Sequence, residues 1–239
     1  MTKPGLSGMF ILSAALAGVG GAEANNGAGG SGGAAGQGGA GGQAGASGLV
    51  AYYPFSGNAE DENGNGNDAS TFGGAALAMD RFGNADSAYE LDGTTGYIQV
   101  PDSPDFNFNQ PLTLTAWIYL NDSASAGIVG QWGPGGFGGA AFVLSVRAGK
   151  LRFTLPQPSL YELDSQSTLA AMQWRFVGVV YDGTDVKLFI DGAPDTADTF
   201  TAAQVDSDEP LRIGSELSSP SPSSLGVRAI VQRGGGLGL

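Results

Sequence analysis

The stretch Asp61-Glu62-Asn63-Gly64-Asn65-Gly66 puts three oxygen-bearing side chains two residues apart on a chain that glycine lets curl tightly. Calcium takes about six to eight oxygens, and alternate side chains of such a loop can converge on one ion. The spacing matches the first half of an EF-hand loop. The match then stops, because Phe72 stands at the twelfth place, where a bidentate carboxylate belongs, and no helix pattern flanks the loop. What the spacing allows is a calcium site of another geometry, built from Asp61, Asn63, Asn65 and Asp68 with main-chain carbonyls. The competing reading is a Gly/Asn turn held by its own hydrogen bonds.

Two further carboxylate pairs invite a test for glycoside hydrolysis, which needs an acid and a nucleophile or base on one strand face. Glu90-Leu91-Asp92 begins the Glu-x-Asp-x-x-Glu pattern, but Thr95 stands where the second Glu is required. Glu162-Leu163-Asp164 fails in the same way at Ser167. The chain has no His and no Cys, which removes Ser-His-Asp and Cys-His catalysis, nearly all zinc chemistry and any disulfide. The sequence therefore offers no catalytic residue. The remaining chemistry is recognition. Trp and Tyr rings stack on sugar faces and keep a polar edge. Trp132, in Gln131-Trp132-Gly133-Pro134-Gly135-Gly136-Phe137, lies in a loop-like segment and is the candidate ligand contact. Trp117 and Trp174 lie in strand patterns and are assigned to packing.

Charge narrows the partners. Acidic residues outnumber basic ones 23 to 10, and within 49–217 the count is 22 to 7. Such a surface repels nucleic acid and anionic lipid and attracts cations.

The chain divides into four stretches. Lys3, the apolar run from Met9 to Val19 and the small-x-small triplet Ala22-Glu23-Ala24 predict a signal peptide over 1–24. The apolar run is too short for a comfortable span, which needs about 20 residues, and no membrane span is expected after cleavage. Residues 25–48 form a Gly/Ala-rich linker with twelve Gly and no charge, a composition that cannot build a core. Residues 49–217 are the folded domain, and 218–239 an irregular Ser/Pro/Gly-rich tail, divergent, truncated or read from a shifted frame.

Within the domain, short β-branched and aromatic runs alternate with Gly, Asn, Asp and Pro clusters. Strands are expected at 49–55, 88–92, 96–100, 112–120, 127–132, 140–147, 150–155, 174–181, 185–190 and 210–214. Period-2 alternation is clearest in 112–120, 150–155 and 185–190. One-sided alternation fits antiparallel sheets with one face on the core. Asp182-Gly183-Thr184, Asp191-Gly192 and Ala148-Gly149 read as tight hairpin turns.

The order of motifs resembles the laminin G-like jelly rolls of the concanavalin A-like lectin/glucanase superfamily. The residues that carry it are Leu49-Val50-Ala51-Tyr52-Tyr53-Pro54-Phe55, Asp61-Glu62-Asn63-Gly64-Asn65-Gly66-Asn67-Asp68, Tyr89-Glu90-Leu91-Asp92-Gly93, Tyr97-Ile98-Gln99-Val100-Pro101 and Pro111-Leu112-Thr113-Leu114-Thr115-Ala116-Trp117-Ile118. Trp174-Arg175-Phe176-Val177-Gly178-Val179-Val180-Tyr181-Asp182-Gly183, Val186-Lys187-Leu188-Phe189-Ile190-Asp191-Gly192 and Pro210-Leu211-Arg212-Ile213-Gly214 complete the series. The resemblance implies an all-β, two-sheet antiparallel jelly-roll sandwich. It also implies a secreted or surface-exposed, non-catalytic binding module, with carbohydrate as first ligand and calcium as a frequent companion. A protein or matrix adhesion module, or a truncated structural domain without ligand, are the alternatives. The expected partner is a glycan or an extracellular protein, and the expected location is extracellular or the cell envelope. The chain departs from the family at its end, where no acidic closing strand follows Gly214. A sandwich lacking that strand keeps an unpaired edge.

Overall fold

The computed structural model describes residues 49–106, 112–121, 125–132, 140–156, 160–201 and 207–215. The expected signal peptide, the linker, the segment 133–139 beside Trp132 and the tail lie outside the described residues. The fold is all-β. Thirteen strands follow one another among the described residues: β1 Ser70–Phe72, β2 Ala76–Ala78, β3 Ala88–Glu90, β4 Tyr97–Val100, β5 Leu112–Tyr119, β6 Ala126–Gln131, β7 Phe142–Arg147, β8 Lys150–Leu155, β9 Tyr161–Thr168, β10 Trp174–Tyr181, β11 Asp185–Ile190, β12 Ala193–Thr199 and β13 Leu211–Ile213. A 3-10 turn at Pro104–Phe106 precedes β5.

Two antiparallel sheets make the sandwich. The larger has the order β1-β4-β13-β6-β7-β8-β9, the smaller β12-β11-β10-β5, and β2 pairs with β3 in a separate hairpin. Alternation decides which side chains meet in the core. On β5, Leu112, Leu114, Ala116 and Ile118 are buried while their neighbours are half-buried. Val177, Val179 and Tyr181 of β10 and Val186, Leu188 and Ile190 of β11 continue that inner face. Ile98, Val100, Leu144, Phe153, Leu211 and Ile213 supply the facing layer. Turn chemistry fixes the hairpins. Ala148 and Gly149, and likewise Asp191 and Gly192, both take positive φ, the geometry that lets a two-residue turn follow strand twist.

The flank where β9 meets β12 is sealed by side chains. Asp195 accepts the main-chain N–H groups of Gln166 (2.6 Å) and Ser167 (3.1 Å) across the sheets. Tyr161 donates its hydroxyl to Asp198 (3.2 Å), and its ring stacks on Phe200 at 4.1 Å.

Four strands lack the apolar signal that the sequence analysis relied on. β9 (YELDSQST) and β12 (APDTADT) are polar because each lies at a sheet edge, where the outward face is wet and Pro194 can sit without breaking a central ladder. β1 and β2 are three-residue strands with largely exposed side chains. The expected strand 49–55 is a correction. Ala51, Tyr53 and Phe55 are fully buried, as a strand would place them, but among the described residues the segment joins no ladder beyond an isolated bridge at Leu49. Its polar groups are taken by the loop 61–67 instead: Leu49 and Val50 offer carbonyls to Asn side chains, and Tyr52 bonds Asp61 and Glu62.

Asp92 shows how a turn acid is used. Burial pushes its carboxyl up, but hydrogen bonds from the amides of Thr95, Gly96 and Thr94 and from the Thr95 hydroxyl outweigh this and hold it well below the usual carboxylate range. A folded pKa below the unfolded one contributes stability that is full above the unfolded value, about 3.9, and fades as pH falls below it. Denaturant midpoints of the wild type and Asp92→Asn are expected to differ at pH 7 and converge toward pH 2. A constant difference across that range contradicts this role for Asp92.

Candidate functional site

The outward face of the larger sheet carries one row of directly opposed residues: Gln99, Arg212, Gly130, Val143, Thr154 and Glu162. Its middle is small and recessed. Val143 and Thr154 are 4% and 6% exposed although they point away from the core. Gly130 cannot be enlarged, since a Cβ there would sit 2.8 Å from the Phe142 carbonyl oxygen and 3.2 Å from Val143.

Arg212 organises one end. Its Nε donates to Gln99 Oε1 at 3.0 Å, and its Nη1 donates to the Trp132 carbonyl at 3.1 Å. The guanidinium lies 6.0 Å from the centre of the Tyr97 ring. Tyr97 in turn stacks on Phe72 at 4.9 Å with the planes 8° apart, and Phe72 is 39% exposed. Beneath, the buried Gln131 donates to the Glu209 carbonyl at 3.2 Å, tying the end of β6 to the turn that leads into β13. This bond fixes Trp132 and Arg212 relative to each other. The arrangement offers flat aromatic surface, a planar cationic fork and a side-chain amide within one patch.

The other end is ionic. Arg152 donates to both oxygens of Asp164 (2.6 and 2.8 Å) and pairs with Glu162 at 2.9 Å. The hydrogen bond to Asp164 raises the guanidinium, and the same bond holds the Asp164 carboxyl below its usual range. Asp164 is thus kept ionised and occupied, a poor general acid. Asp92, the other acid in the glycosidase-like pairs, is likewise ionised and engaged.

The candidate metal residues do come together, in one loop. Asp61 is 7% exposed; its Oδ1 accepts the amides of Tyr52 (2.9 Å) and Asn63 (3.2 Å), and its Oδ2 accepts the amide of Asn67 (3.3 Å). Asp68 Oδ1 accepts the Asp61 amide at 2.9 Å. Asn63 Oδ1 accepts the Asn65 amide, and both Asn side chains donate to the Leu49 carbonyl. Asn67 donates to Val50 and Asp105 and accepts the Tyr53 hydroxyl on its carbonyl. Burial first, then Asp61 and Asp68, push the Tyr53 phenol far up, so it stays a neutral donor. Both oxygens of Asp61, Asn63 Oδ1 and Asp68 Oδ1 thus accept N–H groups. Among the described residues, no group of three or more His, Cys, Asp or Glu is placed to hold a metal.

Trp132 is half-buried at the end of β6, and its main chain joins the Arg212 cluster. Trp117 and Trp174, expected to pack, lie half-buried on the outward face of the smaller sheet against Phe176 and Tyr119. The Arg81 guanidinium covers Trp117 at 4.0 Å. Arg212, Gln99, Tyr97 and Phe72 were not singled out in the sequence. Their alternation with Ile98, Val100, Leu211 and Ile213 marks them as outward-facing, but the Arg212–Gln99 contact spans 113 residues and leaves no local trace.

The binding domain of Paraclostridial Mosquitocidal Protein 1 is similar in fold, with a TM-score of 0.53 at 17% identity over 64% of this chain and 41% of that one. The receptor binding domain of botulinum neurotoxin C/D mosaic serotype gives 0.51 at 14%, over 64% and 40%. The chain thus spans about two fifths of the length of these toxin domains. Domain 4 of AbnA, a GH43 extracellular arabinanase from Geobacillus stearothermophilus, solved in complex with arabinotriose, gives 0.58 at 19%, over 74% and 87%. No relative was found among functionally curated proteins. The profile of the concanavalin A-like lectin/glucanases superfamily matches residues 92–226, more than half of the sequence. Fold and profile agree with the motif order, and the chain belongs to the concanavalin A-like lectin/glucanase superfamily.

Proposed function

We propose that this chain is a non-catalytic carbohydrate-binding module working outside the cell or on its surface, with the sugar seated at the Arg212 end of the larger sheet. The observation that carries the reading is the Arg212 fork held between Gln99 and Trp132 beside the stacked Tyr97 and Phe72. Aromatic planes accept the apolar face of a sugar ring, and the fork and amide take its hydroxyls. Support comes from the AbnA domain, which shares the fold and was solved with arabinotriose. Glu162 and Asp164 are held by Arg152, which favours binding over hydrolysis.

The test is a glycan array that includes arabino-oligosaccharides, read at 0.05 and 0.5 M NaCl. Retention of a neutral glycan, little changed by salt, supports the reading, because stacking and buried hydrogen bonds are weakly screened. No retention on any glycan, with a cooperative melt, contradicts it.

Adhesion to a protein is the second reading. It is favoured by the hairpin of β2 and β3, which exposes Leu77 and, at its tip, Met79 and Phe82. Loss of a surface-protein partner on Phe82→Ser, with glycan retention absent in the wild type, would select it.

Calcium at Asp61, Asn63, Asn65 and Asp68 is a subordinate proposal. The acidic surface and the clustering of these oxygens support it, and the amide bonds onto Asp61 count against it. A melt in calcium against one in chelator decides: a rise in midpoint with calcium supports the ion, and equal midpoints remove it.

A further inference from the structure

Loop 61–67 holds the segment 49–55 through side chains, and two asparagines supply three of the bonds. Asn65 Nδ2 donates to the carbonyls of Leu49 and Val50, both at 3.0 Å, and Asn63 Nδ2 donates to Leu49 at 3.1 Å. Each of these asparagines is followed by a glycine, and no other asparagine among the described residues is. The main-chain amides of the loop alternate in use. Those of Asn63, Asn65 and Asn67 donate to side-chain oxygens of Asp61 and Asn63. Those of Gly64 and Gly66 donate to no group among the described residues. Gly64 and Gly66 take φ of +85° and +81°, and a Cβ built on either meets nothing within 4 Å. Asn65 and Gly66 are exposed, whereas Asn63 is half-buried. Asn63 Oδ1 is fixed by the Asn65 amide at 2.8 Å, while Asn65 Oδ1 accepts no bond among the described residues. An amide nitrogen can attack the side-chain carbonyl of a preceding asparagine when it is unengaged, and a glycine offers no side chain to block the approach.

We propose that Asn65 is a site of spontaneous deamidation and that its conversion loosens the hold of the loop on segment 49–55. The Gly66 nitrogen bonds to Asn65 Cγ and gives up its proton. The side-chain Nδ2 takes a proton and leaves as ammonia, and a cyclic succinimide remains. Water then adds to one of the two ring carbonyls and opens the ring to aspartate or isoaspartate. Water is the only co-reactant, and nothing is oxidised or reduced. Either product replaces the two N–H donors of Asn65 by carboxylate oxygens. Acceptor then faces acceptor at the Leu49 and Val50 carbonyls. The isoaspartate also lengthens the main chain by a carbon, and a chain of net charge −13 gains a further negative charge. Asn63, Asn67 and Asp61 keep their bonds to Leu49, Val50 and Tyr52, so the segment is loosened rather than lost. Aged copies therefore open locally at 49–55 more often than fresh ones.

The test holds the full chain in mildly alkaline buffer with chelator, beside a synthetic peptide of residues 60–69, and follows both by peptide mapping. Asn65 of the folded chain is expected to convert, ahead of Asn63. The converted fraction, separated by ion exchange, is expected to be cut by chymotrypsin at Tyr52 and Phe55 about tenfold faster than fresh protein. Asn65→Asp, kept in chelator, is expected to show the faster cleavage from the start. Asn65→Gln, whose longer side chain closes such a ring far more slowly, is expected to age without change. Asn65 intact in the folded chain after the peptide has converted overturns the proposal. So does a converted fraction that chymotrypsin cuts at the rate of fresh protein.

Discussion

Arg212→Ala is expected to lower affinity for the retained glycan by about ten- to a hundredfold while the melting midpoint moves little. A hydrogen bond to a charged group contributes about 1.5–3 kcal/mol, and each 1.4 kcal/mol is a factor of ten. The effect has two sources. The fork itself is lost, and with it the bonds that orient Gln99 and the Trp132 carbonyl. Arg212→Lys keeps the charge but not the planar fork, and is expected to lose most of the same affinity. Trp132→Ala is expected to remove retention as well, through lost stacking area. Calorimetric titration with wild-type and variant protein checks all three. Unchanged affinity in Arg212→Ala, with the fold intact, places the sugar elsewhere.

The second large effect is on stability. Asp61→Ala removes a carboxylate that accepts three amides in a site 7% exposed to solvent. Each charge-assisted bond contributes more than a neutral one, and the amides of Tyr52 and Asn67 would be left without their acceptor. Allowing for relaxation and water entry, a loss of about 3 kcal/mol is expected. A domain of this size loses about 2–4 °C per kcal/mol, so the midpoint should fall by about 10 °C. The segment 49–55, whose buried Ala51, Tyr53 and Phe55 depend on the loop for their place, is expected to become protease-sensitive. Asp61→Asn keeps one acceptor oxygen and is expected to lose about half as much. An unchanged midpoint in Asp61→Ala contradicts the clamp. The measurement also separates clamp from metal site, because a clamp responds to the substitution in chelator as fully as in calcium.

The core was legible wherever burial is one-sided. β8, β10 and β11 have the bounds that alternation and turn residues predict, and β5 differs by a residue. In these strands every second side chain must be apolar, and sequence records that directly. Edge strands escaped for the converse reason. β9 and β12 are held by Asp195, Asp198 and Tyr161 rather than by apolar alternation, and a polar strand looks like a loop. The segment 49–55 shows the opposite error. Its alternation is real, but a ladder needs a neighbour, and among the described residues its neighbour is a loop of Asn side chains. The loop itself was visible as an oxygen-rich cluster. Sequence spacing does not say whether those oxygens face a cation or an amide; both Asp61 oxygens accept amides, and the melt in calcium against chelator decides the ion. At the candidate sugar site, Trp132 was visible as an aromatic in a Gly-rich stretch. Its companions were not, because Tyr97, Gln99 and Arg212 meet it only after β4, β13 and β6 are laid side by side.

The most direct test of the sugar site is a nuclear magnetic resonance titration of the labelled full chain with arabinotriose and with any glycan retained on the array. Amide shifts are expected to cluster at Tyr97, Gln99, Gly130, Trp132 and Arg212, and to vanish in Arg212→Ala. Shifts confined to Trp117, Trp174 and Phe176 on the opposite sheet, or no shift with any retained glycan, would contradict a sugar seat at Arg212.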